Sequence, residues 1–207
     1  MIALKEPLWG ERLLKSLYYW MLKDEIWVWM IPFLADVFVF LYPIYLLLVF
    51  LRVIRKKFYY QSSALFTFFA VFFSALVNVF IQFVIDKARP VVVLFSDLKT
   101  ETILHKFLPS SSFPSDHAAV SMAFASAILF RLKNKDRKFI VGIVFYVFSL
   151  IMSFARVTSV HWPTDVISSI IIVVTLILFN KNIFIRRENR VNKTLVNIFN
   201  RILGIRN

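Results

Sequence analysis

A chain of 207 residues suits one domain, and its composition is not that of a soluble one. Hydrophobic residues make up 59%, with 24 Phe and only 3 Gly, against roughly 45–50% apolar content in soluble domains. The absence of Cys excludes disulfides, thiolate metal sites and thiol nucleophiles, and the net charge of +13 does not point to nucleic acid, because the basic residues stand between apolar runs as they do in membrane-protein loops.

In chain order, the first predicted element covers residues 8–26. Leu13, Leu17 and Met21, flanked by Leu14, Tyr18 and Leu22, share one helical face, while Glu11, Arg12, Lys15 and Lys23 lie off it. This predicts an amphipathic helix in the membrane interface, with its Trp and Tyr at headgroup level, so that residues 1–26 form an interfacial segment. No basic stretch followed by an apolar run and a small-residue cleavage site is evident, so the first span is expected to direct insertion. Residues 26–51 carry one charge, Asp36, and residues 62–85 carry none; each reaches the roughly 20 apolar residues that a spanning helix needs. Shorter runs follow at 118–130, 139–155 and 166–180, each beside polar residues that a buried site at the membrane edge can hold. The expected fold is an all-α integral membrane bundle of about five transmembrane helices within residues 27–180, followed by a basic cytoplasmic tail at 181–207.

Charge sets the expected orientation. The connections at 52–60 and 131–138 and the tail carry 4, 5 and 7 Lys+Arg, whereas residues 1–25, 86–117 and 156–165 carry 4, 4 and 1. Positive residues stay on the cytoplasmic side. The long loop and the turn near 156–165 are therefore expected on the extracytoplasmic face of a multi-pass cell-membrane protein.

Three polar clusters meet on that face: Gln82 through Lys87 to Arg89-Pro90; Ser112-Phe-Pro114-Ser115-Asp116-His117; and Arg156 through His161 to Asp165. Ionisable groups at membrane depth are expensive, so their clustering is a functional signal. Each has a duller reading alone: Lys87 and Arg89 as interfacial anchors, His117 and Ser115 as helix-start residues, Asp165 as an N-terminal helix carboxylate. Together they assemble a chemistry. Arg89 and Arg156 offer planar forks that match phosphoryl oxygens, and Ser115 stands at a helix start where a hydroxyl and backbone N–H groups cradle an anion. His161 and Asp165 are four residues apart, which a helical turn brings to one face; a carboxylate there keeps one imidazole nitrogen protonated and leaves the other free to attack phosphorus. His117 remains as the acid for the leaving oxygen.

These clusters resemble the three signature motifs of the type 2 phosphatidic acid phosphatase superfamily, Lys-x6-Arg-Pro, Pro-Ser-Gly-His and Ser-Arg-x5-His-x3-Asp, over roughly residues 62–180. The resemblance implies a phosphohistidine on His161, oriented by Asp165, with His117 as general acid. It implies phosphate binding by Arg89, Ser115 and Arg156, joined by Gln82, Lys87 and Asp116 around them, and no metal or other cofactor. Asp116, within Ser-Phe-Pro-Ser-Asp-His-Ala, is similar to the pattern of the bacitracin-resistance undecaprenyl diphosphate phosphatases. This chain departs from the motifs at three places: Gln82 replaces a Lys, Ala155 replaces a Ser, and four residues rather than five separate Arg156 from His161. The expected substrate is a lipid phosphate in the bilayer, foremost undecaprenyl diphosphate. Phosphatidic acid or phosphatidylglycerol phosphate are the alternatives, and a non-catalytic lipid-binding relative is the third.

Overall fold

A computed structural model describes residues 2–54, 58–94, 111–131 and 137–205. Among these the chain forms β1 (Ile2–Ala3), α1 (Leu8–Met21), α2 (Glu25–Phe50), α3 (Phe58–Val84), β2 (Ile85–Asp86), α4 (Pro90–Leu94), α5 (Asp116–Arg131), α6 (Arg137–Ser159) and α7 (Pro163–Ile202). Residues 95–110 of the long loop and parts of the two basic connections, 55–57 and 132–136, lie outside the described residues.

The side chains of α3 are sorted in the reverse of a soluble helix. Gln61, Ser62, Thr67, Ser74, Asn78 and Gln82 are buried, while Phe68, Phe72, Phe73, Leu76, Phe80 and Phe83 are exposed. Exposed apolar surface of this extent marks contact with an apolar phase, and a bilayer supplies one. By length and composition α3 and α6 can each cross a membrane, at Tyr60–Val84 and Ile140–Thr158. A third crossing is available if Glu25–Ala35 and Val39–Phe50, bent by 41°, act as one. The five spans expected from sequence also need Asp116–Leu129 and Pro163–Phe179, which are apolar but shorter.

α5 is short because of where it lies. It packs against α2, α3, α6 and α7, and Ala118, Ala119, Ser121, Ala123, Ala125, Ser126 and Ala127 are all buried. Small side chains let helices approach closely and gain dispersion contacts where lipid offers no hydrophobic drive. A cluster of Tyr42, Phe124, Ile128 and Met152 closes one side of it, and Ala119, Ala123, Val173 and Ile177 close another.

Two features go beyond what was read from the sequence. α7 does not end where its hydropathy does: it continues through the basic tail, because Lys, Arg and Glu are good helix formers even where they are poor membrane residues. Its end returns to the bundle, where Asn200 meets Gln61 and the Phe199 ring lies edge-on to Phe50 at 5.6 Å. The second feature is a small parallel ladder in an otherwise helical chain. β1 pairs with β2 in the register Ile2↔Ile85 and Ala3↔Asp86, extended by the Leu4 N–H to Asp86 O at 3.0 Å. The ladder fixes the N-terminal segment at the exit of α3, and α1 then lies against α6 and α7 through Leu14, Leu17 and Met21, while Leu13 and Leu22 point outward.

Candidate active site

The helix ends set the geometry. α3 delivers Gln82, and the segment after β2 delivers Lys87 and Arg89. α5 starts at Asp116, α6 ends just beyond Arg156, and α7 starts at Pro163. Backbone bonds tie these ends together: Ser112 N–H to Lys87 O at 2.8 Å and Ser115 N–H to Asp165 O at 3.4 Å.

His161 is the centre. Its ring is buried, and Nδ1 lies 2.9 Å from the Ser112 carbonyl oxygen. A carbonyl only accepts, so Nδ1 carries the proton. Nε2 therefore keeps its lone pair, and it faces Arg89 NH1 and Arg156 NH2, each at 3.5 Å. Burial pushes the imidazole down to about 4, the two guanidinium groups push the same way, and the nearby Asp165 carboxylate opposes them. At neutral pH the ring is a neutral base between two cations. Chemically, such an arrangement can offer an anionic group two cationic forks and one nitrogen lone pair within the same few ångströms.

Asp165 serves the ring at one remove. Its Oδ2 lies 3.6 Å from Nδ1, beyond a hydrogen bond. That oxygen instead accepts the Ser112 hydroxyl at 2.7 Å and the Trp162 N–H at 3.0 Å, and Oδ1 accepts Lys87 Nζ at 2.7 Å. The reason is local. The one-face argument requires both residues inside a helix, but α7 begins at Pro163, with extended Trp162 as its N-cap. His161 lies ahead of the helix, and Ser112 bridges the gap with its hydroxyl to Asp165 and its carbonyl to His161.

The four-residue link from Arg156 closes by a tight turn. The N–H groups of Val160 and His161 both donate to Arg156 O, at 3.1 and 3.0 Å. This leaves Arg156 and His161 side by side despite the missing residue. Ser115 contributes a buried hydroxyl with no hydrogen-bond partner, while its N–H is taken by Ser169 Oγ at 2.7 Å. His117 is buried in the first turn of α5.

The remaining candidates do not face the lone pair. Gln82 donates its amide to Pro114 O at 2.9 Å and to Asp116 Oδ1 at 3.0 Å, and Asn78 also donates to that oxygen, at 2.6 Å. Gln82 and Asp116 thus hold the start of α5 against α3. Lys87 lies beneath Asp165, over the Phe113 and Trp162 rings at 5.7 and 5.9 Å. Sequence reasoning placed Ser112 in a cluster without a role and missed Asn78 and Ser169. The i, i+4 spacing of Asn78 and Gln82 in an apolar span was an available signal, as was that of Asp165 and Ser169. Among the described residues, no three His, Asp or Glu side chains are grouped to hold a metal ion.

A family model described as PAP2 superfamily matches residues 63–188, a stretch that contains all three clusters. Comparisons with curated proteins and with solved structures returned no match.

Proposed function

The chain belongs to the PAP2 superfamily, whose members are phosphatases, and from that premise we propose that it removes phosphate from a lipid phosphate or diphosphate, foremost undecaprenyl diphosphate, through a phosphohistidine on His161. The observation that carries this is the unprotonated Nε2 set 3.5 Å from both Arg89 and Arg156. In the first step the Nε2 lone pair attacks phosphorus as the bond to the leaving oxygen breaks, and His117 gives that oxygen its proton. In the second step His117 takes a proton from water, which displaces Nε2 and releases inorganic phosphate. The arginines and the Ser115 hydroxyl stabilise charge on the transferring phosphoryl oxygens, positioned before the reaction begins. Gln82, Lys87 and Asp116 support this arrangement from behind.

A lipid substrate is supported by the placing of the site on helices that expose Phe and Ile to an apolar phase. An apolar cavity of about 230 Å³ lies between α3 and α7, lined by Phe66, Phe69, Phe73, Val77, Leu176 and Ile177. Val77 is five residues below Gln82, or about 7.5 Å along the helix, within reach of a tail whose headgroup lies at His161. Asp116 and the excess of Lys+Arg on the opposite connections support an undecaprenyl diphosphate pool on the extracytoplasmic face of a five-span protein.

Purified protein in detergent, assayed in EDTA against undecaprenyl diphosphate, phosphatidic acid and phosphatidylglycerol phosphate, tests the reading. Phosphate release is expected, fastest with the first. No release from any of the three returns the chain to a lipid-binding role. Orientation is tested by single cysteines at Asp86 and Val53 in this cysteine-free chain, both exposed. An impermeant thiol reagent on intact cells is expected to label position 86 and spare 53.

A further inference from the structure

We propose that Glu6, which lies outside the family match, is a positioning residue of the phosphoryl-transfer site, acting on His161 through Lys87 and Asp165; the proposal rests on the phosphatase reading above. The β1–β2 ladder carries the N-terminal segment to the exit of α3, and from there Glu6 reaches inward until its side chain is 1% exposed. Its Oε2 accepts Lys87 Nζ at 2.6 Å and also accepts the Thr164 hydroxyl. Lys87, 3% exposed, spends its other two donors on Thr164 Oγ1 at 2.6 Å and on Asp165 Oδ1 at 2.7 Å. Asp165 in turn holds the Ser112 hydroxyl, and the Ser112 carbonyl holds Nδ1 of His161. A continuous relay therefore runs from Glu6 to the nucleophile.

Charge gives the relay its purpose. Lys87 is a buried cation beside a site that already presents two arginines to Nε2, and Asp165 alone has to orient Ser112 and balance that cation. A second carboxylate on the far side of Lys87 holds the ammonium midway, so that Asp165 keeps its geometry toward Ser112 and Trp162. One of the chain's few glycines makes the room. A Cβ at Gly10 would stand 1.8 Å from Glu6 Oε1 and 2.6 Å from its Cδ, so only glycine lets the carboxylate lie against the first turn of α1. Oε1 itself is buried with no hydrogen-bond partner, so the carboxylate is held through Oε2 alone, by Lys87 and Thr164.

Two variants of the full-length protein separate positioning from anchoring, with undecaprenyl diphosphate and phosphatidic acid as probes. Glu6→Gln keeps the shape and removes the charge. It is expected to lower kcat about tenfold, the scale of small misplacements at a reacting centre, with KM changed less than twofold. Gly10→Ala displaces the Glu6 carboxylate without touching the site, and is expected to lower kcat by a similar factor. The same change removes a glycine from a helix, which favours folding, but it also unseats a buried carboxylate from Lys87, which opposes folding, so kcat is read at a temperature at which the variant's measured Tm shows it folded. In a Lys87→Met background, Glu6→Gln should cost no more than a further twofold. Retention of kcat within twofold in both single variants, alongside an inactive His161→Ala, overturns the role of Glu6 and leaves the phosphatase reading intact. Full activity in His161→Ala overturns the assignment of His161 as nucleophile, and no phosphate release from the unsubstituted protein overturns the phosphatase reading itself.

Discussion

α3 carries a buried glutamine near each end, and the two are bonded alike with different results. Gln61 donates its amide to Phe50 O at 2.8 Å and Asn200 Oδ1 at 2.9 Å; Gln82 donates to Pro114 O at 2.9 Å and Asp116 Oδ1 at 3.0 Å. At Gln61 the exchange is mutual, since the Asn200 amide returns a bond to Gln61 Oε1 at 3.3 Å. At Gln82 the partner is an acceptor with nothing to return, and Oε1 is left buried and unbonded. Such an unmet group costs about 1–3 kcal/mol. The end of the helix remote from the arginines completes its polar pairs, whereas the end beside them leaves one open. On the proposed function, polar groups in this bundle serve two purposes, closure at one end and chemistry at the other.

The largest break in this comparison is expected from His161→Ala, which removes the proposed nucleophile and should lower phosphate release by about a thousandfold or more. Asn200→Ala, at the other end, should leave kcat within twofold. Steady-state phosphate release from the two purified variants, with intact expression checked for both, decides it. Equal effects would erase the division of labour between the ends.

Replacing the glutamines themselves sharpens it. Gln61→Leu removes both bonds of its exchange with Asn200 and should lower stability by about 1–3 kcal/mol with little change in kcat. Gln82→Leu removes its own unmet oxygen and leaves Asn78 on Asp116, so it should destabilise less. It should nevertheless lower kcat, on the order of tenfold, because the start of α5 carries Ser115 and His117. Gln82→Lys should keep activity or raise it a few-fold: an ammonium can donate to both Pro114 O and Asp116, and adds the stronger charge-assisted bond. A collapse of rate with unchanged Tm in that variant would show that the amide has a role which charge does not replace.

The smallest effect is one of pH. The His161 ring, held down to about 4 by burial first and by Arg156 and Arg89 next, should remain unprotonated between pH 7 and 5. Its lowered value means that the unfolded chain binds the proton first. Its contribution to stability is therefore full above an ordinary histidine value near 6.5 and is lost as pH falls toward 4. The Gln61–Asn200 pair has nothing to titrate. Ring carbon shifts followed by NMR, assigned against His161→Ala, should show no His161 transition above about pH 5; a midpoint near 6.5 would contradict the burial argument.

Much of the site was legible because its parts are sequence-local. Arg156, His161 and Asp165 lie within ten residues, Ser115 and His117 within three, and the apolar spans between them say which ends share a face. The role of Ser112 was not legible, since its carbonyl is a group every residue possesses. Glu6 was not legible either: it meets Lys87 across 81 positions through a two-residue ladder that no periodicity announces. The extent of α7 was hidden for another reason. Hydropathy reports the solvent that a helix prefers, not where its backbone stops being helical, and residues 181–202 change the first without changing the second.

The burial of α5 on almost every side bears on how this sequence can drift. Its 16 residues rise about 24 Å, short of a hydrocarbon core near 30 Å, and with neighbours around it there is little lipid contact to demand more. A lipid-facing helix such as α3 can exchange one bulky apolar residue for another on its outer side. From Ala118 to Ile128, with half-buried Val120 the one exception, α5 has no outer side to vary. In a saturation library scored for function, tolerated changes in α3 should therefore recur with the helical period. Those in α5 should be scarce throughout, limited to exchanges among alanine, serine and glycine at its small positions and to apolar residues of similar volume at Met122, Phe124 and Ile128, so the central helix is where homologous chains should diverge most slowly.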